Sequence, residues 1–478
     1  MVFASTVFLF LFFPAALILY YNPFFKSRGW RNGVLLATSL VFYAWGEPVF
    51  ILVMFASILF NFVLGLVISA QEEHRRRKAW LTLTVAVDVG LLFAFKYLNF
   101  AFENLGLLLF AGDFPRLNIE LPVGISFFTF QIMSYVFDVY YRKTPVQRSI
   151  LKLALYISMF PQLIAGPIVR YETVAQEIDT RVETAEDFTR GVTRMICGLG
   201  KKVLLANYVA LIADNIFAVL GSSMSVATAW LGAVAYSFQI YFDFSGYSDM
   251  AIGMGLMFGF HFEENFNYSF TCDSITDFWR RQHISLSKWF RDYVYIPLGG
   301  SRVSSSRWVF NLFVVWLLTG IWHGANWTFM LWGMYYFVLL VFEKFSRFPA
   351  RISHLRPLCH LYAIFFTAIG MVIFRAEDFL LTLGYIGNMV GIGASGLTDK
   401  VSAYYFSAGK WVLLAACLAS TPIVPWLGRR FAESRLSKNR AAVIAFDLLR
   451  SAALAVLFVV CIAVCAKSAY NPFIYYNF

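Results

Sequence analysis

The chain has 478 residues, 59% hydrophobic, 19% aromatic and only 14% charged, with a mean hydropathy of +0.65. This composition places it among polytopic helical membrane proteins and excludes a soluble globular domain. The formal charge of +11 lies in short clusters between apolar runs, so it acts on topology, and no stretch between spans is long enough to carry the basic patch of a nucleic-acid-binding domain.

At roughly 20 apolar residues per crossing, the sequence predicts spans near 3–21, 33–45 with 49–70 as a hairpin, 79–101, 122–141, 191–220, 226–247, 307–342, 357–374, 408–427 and 441–467. The opening MVFASTVFLFLFFPAALILYYNPFF lacks a basic n-region and a small-residue cleavage site, so it is expected to stay as a first helix. Segments 151–169 and 275–300 mix apolar runs with Pro, Gly or charge. They are expected to be re-entrant, because non-helical backbone at membrane depth must line a cavity or be buried in protein. The expected fold is an all-α transmembrane bundle of about 11 spans, forming a single domain over 1–478.

Basic clusters at 26–31, 74–78, 142–152 and 429–440 are predicted to face the cytoplasm. That puts the amino terminus outside, together with the loop 46–48 and the loop containing Glu103, Asp113 and Glu120. The six cysteines show no zinc or disulfide spacing, Cys359–His360 has no second ligand pair, and no metal is expected. Neither solenoid repeats nor two matched halves with broken helices are visible, which weighs against a transporter.

Three stretches carry the chemistry. In 241–260, YFDFSGYSDMAIGMGLMFGF, Asp243 and Asp249 lie in an apolar background with Ser245 and Ser248, and Gly255 and Gly259 form a small-xxx-small face. The expectation is packing around a broken helix, with the carboxylates available to pair with the basic helix that follows.

That helix lies in 273–307, DSITDFWRRQHISLSKWFRDYVYIPLGGSRVSSSR, where Asp273 or Ser274 caps the start and Pro297, Gly299 and Gly300 end it. Trp279, His283, Leu286 and Ser287 are expected on one side, and Arg280, Arg281, Lys288, Arg291, Arg302 and Arg307 outnumber Asp277 and Asp292. On charge alone, a phosphate-bearing ligand and anionic lipid headgroups are equally good partners for these cations.

The third stretch is 311–342, NLFVVWLLTGIWHGANWTFMLWGMYYFVLLVF, with His323 in an apolar run long enough to span. A histidine in a bundle often just hydrogen-bonds across an interface. Here Thr319, Gly320, Asn326 and Trp327 are predicted to share its helical face, and an ionisable group at membrane depth marks a functional site by default.

Taken in order, YFDFSGYSDMAIGMGLMFGF, ENFNYSF, FWRRQHISLSKWFRDYVYIPLGG and LLTGIWHGANWTFMLWG resemble the membrane-bound O-acyltransferases, in their bacterial branch of polysaccharide and peptidoglycan O-acetyltransferases. The likeness extends to MVFASTVFLFLFFP, LPVGISFFTFQIMSYVFDVYY, FPQLIAGPIVRY and the terminal NPFIYYNF, with the catalytic motifs at 236–342. It implies a two-histidine site of His323 and His283, although relatives are expected to have Trp where this chain has Gln282.

It further implies O-acetylation of an extracytoplasmic polysaccharide, at a bacterial inner membrane, with a separate periplasmic or surface-anchored transferase as partner. Acetyl-coenzyme A is the expected donor substrate, with no permanently bound cofactor. Its phosphates would meet Arg280, Arg281, Lys288 and Arg291 beside Trp279, while His323 acts as general base and His283 or Asn326 stabilises or orients. The alternatives are D-alanyl transfer to teichoic acid from a carrier-protein thioester, and a polysaccharide or lipid transporter.

Overall fold

The computed structural model describes every residue except 110–116, 165, 220–222, 377 and 468–478, and the side chains of 108 and 109. Asp113 and the terminal NPFIYYNF therefore lie outside the described residues. Everything described is helix or connection, with no strand. Seven helices are long and apolar enough to cross a membrane: Ile51–Ala70, His74–Lys96, Ala185–Phe217, Trp327–Ser346, Arg356–Arg375, Lys400–Ala419 and Arg440–Lys467. Phe8–Tyr20 and Phe379–Met389 are shorter apolar helices. The predicted spans at 122–141 and 226–247 appear as Ile125–Tyr140 and Val226–Met257, both almost wholly buried within the bundle.

Val226–Met257 is the axis of the fold. It starts where the Ser225 side chain accepts from the Thr228 backbone and runs for 32 residues, about 48 Å at 1.5 Å per residue. The expected break in this stretch is absent, because no proline interrupts it and its glycines serve contact. Gly191 and Gly198 of Ala185–Phe217 lie against Gly253 and Gly246, so close that a Cβ on Gly198 would stand 2.6 Å from the Gly246 carbonyl oxygen. This is the small-residue route to close helix approach in a membrane. The same interface pairs Asp249 with Arg194 at 2.9 Å and Lys201 at 2.6 Å, and Asp243 with Lys202 at 2.6 Å. The two aspartates thus hold Ala185–Phe217 and not the basic helix, and Gly255 meets Phe262 instead of a partner helix.

Contacts between loops gather the basic segments together. At one end Arg77 donates to the Tyr140 carbonyl at 2.6 Å, Arg28 pairs with Glu183 at 2.6 Å and Lys152 with Asp179 at 2.7 Å, gathering three of the basic clusters. At the other, the Val123 backbone donates to Glu47 at 3.4 Å, joining the two loops assigned to the opposite face.

Segments 151–169 and 275–300 are both broken, the first almost wholly buried and the second buried on one side only. The first holds the short helices Ile150–Ser158 and Phe160–Leu163, secured by Tyr156 Oη to the Val169 carbonyl at 2.8 Å. The second holds Ile275–Arg281 and Ile284–Phe290. Its first helix is capped twice, by Ser274 from within and by Glu343 of Trp327–Ser346, which accepts from the Ile275 and Thr276 backbones at 2.7 and 2.9 Å. A carboxylate aimed at a helix N-terminus satisfies the orphan donors there.

Candidate active site

The predicted span 307–342 is two helices, Ser305–His323 and Trp327–Ser346. The chain turns at 324–326 because Asn326 caps the second helix, its Oδ1 accepting from the Thr328 backbone at 3.0 Å. The two helices then run back against each other with backbones in contact, since a Cβ on Gly320 would meet the Phe329 carbonyl oxygen at 2.5 Å and one on Gly333 would collide with that of Trp316.

This hairpin corrects the expected environment of His323. Asn326 and Trp327 do not share its helical face: the Asn326 oxygen is taken by the cap, while Trp327 is exposed and donates to Asn104 at 2.9 Å. The Thr319 hydroxyl is tied to its own helix through the Val315 carbonyl at 2.7 Å. His323 instead ends its helix, buried among aromatic rings, with Trp322 and Trp332 centred 4.9 Å away and Phe374 at 5.1 Å.

The helix end that carries His323 is gripped from a neighbour. Lys96 donates to the Trp322 carbonyl at 2.6 Å and to Ser126 at 3.2 Å, and Tyr97 donates to the Ile321 carbonyl at 2.6 Å. Carbonyls of a last helical turn have no partner within their helix. The half-buried Lys96 amine and the Tyr97 phenol supply one here.

His283 sits at the break between Ile275–Arg281 and Ile284–Phe290, so the helix predicted to run through it is divided. Its φ of 48° and ψ of 54° place it in the left-handed region, uncommon for a residue with a side chain and worth about 1–3 kcal/mol of strain. What holds it is Asn265 of the ENFNYSF motif. The Asn265 carbonyl accepts the Ile284 backbone at 2.9 Å, its Nδ2 donates to Ser248 at 3.0 Å, and its Oδ1 accepts the Ser285 backbone at 3.2 Å and hydroxyl at 2.9 Å. The same oxygen lies 3.2 Å from His283 Nδ1.

A backbone N–H only donates, so the atom facing Ser285 and His283 is oxygen, and Nδ1 must carry the proton. The neutral ring therefore presents a lone pair at Nε2, which is buried with no partner among the described residues.

A cavity of about 240 Å³ leads to this histidine. Its wall follows Ser305–His323 from Leu312 to Thr319; His283 and Trp279 stand within it, and the exposed Arg280 and Arg291 belong to its lining. His323 is one aromatic layer away, since the Trp322 ring touches both imidazoles, 5.9 Å from His283 and 4.9 Å from His323. Of the residues predicted to bind a donor, the cavity unites Trp279, Arg280 and Arg291 with His283. It leaves out Arg281, paired with Asp277 at 2.8 Å, and Lys288, paired with Glu263 at 3.0 Å.

The profile of the membrane-bound O-acyltransferase family matches residues 40–384. A probable alginate O-acetylase of Pseudomonas putida is 37% identical over the full length of both chains. This chain belongs to that family. It is an acyltransferase that crosses the membrane several times. A probable alginate O-acetylase of Azotobacter vinelandii is 44% identical over 87% of this chain and 83% of its own. A peptidoglycan O-acetyltransferase of Helicobacter pylori is 34% identical over 83% of this chain and 81% of its own.

The residues that sequence reasoning missed are those that position others. Asn265 stood within a recognised motif, but its contacts reach Ser248 and Ser285 across loops. Lys96 carried a signal of its own, a lone cation at the end of an apolar run.

Proposed function

We propose that this protein moves an acetyl group from the cytosolic thioester acetyl-coenzyme A to hydroxyls of an extracytoplasmic polysaccharide, from the bacterial inner membrane. The observation that carries this reading is the cavity, which has arginines in its lining, an imidazole nitrogen within that has no partner among the described residues, and a wall formed by the helix that ends in His323. Arg280 and Arg291 suit the donor's phosphates and Trp279 its adenine or pantetheine arm. The names of the relatives point to a glycan acceptor, alginate or peptidoglycan. A separate periplasmic or surface-anchored transferase would complete the modification.

In this reading His323 is the general base. It takes the proton of the attacking hydroxyl as the new C–O bond forms, a contribution of about 10²–10⁴-fold in rate. His283, with Nε2 as an acceptor, orients by holding a donated hydrogen, either from the hydroxyl or from a donor amide. No covalent acyl-enzyme is required, because no Ser or Cys in these motifs stands beside a supported base. The test is the ester-linked acetate of cell-surface glycans with and without this gene: selective loss of acetate from one polymer supports the reading, and unchanged acetate on every polymer refutes it.

A further inference from the structure

General-base attack on a thioester turns the carbonyl oxygen into an oxyanion, which needs hydrogen-bond donors. Neutral His283 presents a lone pair at Nε2 and so cannot serve, while Asn326, whose oxygen caps a helix, has only its amide nitrogen as a donor. The tryptophans offer another source. Trp30, Trp230, Trp289 and Trp327 each donate their indole N–H to an oxygen, at 3.1, 2.9, 2.9 and 2.9 Å. Trp322 and Trp332, the two whose rings touch His323, do not: both are at most 3% exposed, and neither indole N–H has an acceptor among the described residues.

Buried donors are almost always paired, and an exception calls for a reason. Three buried indole N–H groups share this state among the described residues, those of Trp279, Trp322 and Trp332, and the last two flank the same imidazole. Trp322 also touches His283, and Trp332 touches Trp279, whose ring lines the cavity. Indole is a donor with no acceptor capacity, and both rings are wedged among aromatic neighbours, so their N–H groups are fixed in advance. Backbone anchoring adds to this, since Lys96 holds the Trp322 carbonyl.

We propose that the indole N–H groups of Trp322 and Trp332 are the oxyanion donors of the acyl transfer, an inference that rests on the reading above. The hydroxyl oxygen bonds to the thioester carbon while its proton passes to His323. The carbonyl π pair moves onto oxygen and is met by the two N–H groups. When the tetrahedral species collapses, the C=O re-forms, the C–S bond breaks, and the leaving thiolate takes the proton back from His323, yielding ester and thiol.

The experiment replaces each tryptophan separately with β-(3-benzothienyl)alanine, which keeps the bicyclic shape and removes only the N–H. Native membranes, which contain any partner transferase, are supplied with acetyl-labelled acetyl-coenzyme A and alginate oligosaccharides, and thioether-coenzyme A binding is measured alongside. Each replacement is expected to lower kcat about 10²–10³-fold, with the thioether analogue bound as tightly as before. Turnover within two-fold of native for either variant, or a loss confined to donor affinity, overturns the proposal. If the Trp322 variant fails to accumulate, the Trp332 variant decides by the same criteria. Transfer that survives His323→Ala, or its absence from native membranes, would instead refute the acyl-transfer reading beneath it.

Discussion

Replacing Asn265 by alanine should separate the positioning of His283 from its chemistry. The side chain makes four contacts, to Ser248, to the Ser285 backbone and hydroxyl, and to His283 Nδ1. At a net value of about 1 kcal/mol each, Asn265→Ala should cost about 4 kcal/mol of stability, and nothing would then fix the Nδ1–H tautomer or offset the left-handed backbone at His283. A misplacement of about 1 Å costs on the order of 10²-fold in rate. Turnover of labelled acetyl-coenzyme A by Asn265→Ala should therefore fall about 10²-fold, with donor affinity retained because Arg280 and Arg291 are untouched. Ser248→Ala, which removes one contact behind the asparagine, should cost only about 1 kcal/mol and less than ten-fold in rate. Thermal unfolding in detergent and transfer assays on the same preparations read both quantities. Full turnover by Asn265→Ala would refute the idea that this asparagine sets the tautomer, and so would a Ser248→Ala variant as impaired as Asn265→Ala.

Arg280→Ala and Arg291→Ala, at the cavity, should each raise the KM for acetyl-coenzyme A about ten-fold, whereas Arg281→Ala and Lys288→Ala, outside its lining, should leave it within about two-fold; equal effects from all four would remove the cavity from donor binding. At the basic end of the bundle, burial raises the Glu183 carboxyl, but hydrogen bonds from Arg28 and Tyr20 outweigh it and leave its pKa at about 2. A depressed pKa stabilises the fold above the ordinary carboxylate range and ceases to do so as pH falls toward 2, so the stability difference between native and Glu183→Gln protein should be full at pH 7 and shrink below about pH 4.5. A difference that stays constant down to pH 3 would contradict this. Single cysteines at the exposed positions Ser304 and Gly46, in a cysteine-depleted background, should label from opposite faces with an impermeant thiol reagent; labelling of Ser304→Cys from outside intact cells would reverse the donor's route.

The helices that face lipid were legible because apolar length is a local property, and His323 was legible because an ionisable group in an apolar run is conspicuous, whereas His283, in the basic stretch 280–288, was marked by the family resemblance. Interior elements were harder to read. Val226–Met257 looked broken because Gly246, Gly253 and Gly255 suggest weak helix, yet two of these glycines exist for a neighbouring helix that the local pattern does not reveal. The turn at 324–326 was hidden inside one continuous hydrophobic stretch, and only the capping geometry of Asn326 exposes it. Of the cations in 273–307, the excess was legible but not the pairing, which sets Arg281 on Asp277, Lys288 on Glu263 and Arg291 on Asp292, nor the cavity, which takes Arg280 and Arg291 into its lining. Asn265 and Lys96 act across long sequence separations, on His283 and on the Trp322 carbonyl, and nothing local announces such contacts.

The most direct test of the central claim is acetyl transfer by His323→Ala in membranes where the variant accumulates to the native level. With acetyl-labelled acetyl-coenzyme A supplied from the cytosolic side, label should reach the extracytoplasmic glycan in native membranes and fall at least about 10²-fold in the variant, while thioether-coenzyme A still binds both. Transfer by His323→Ala at more than a few per cent of the native rate would contradict the assignment of His323 as the base.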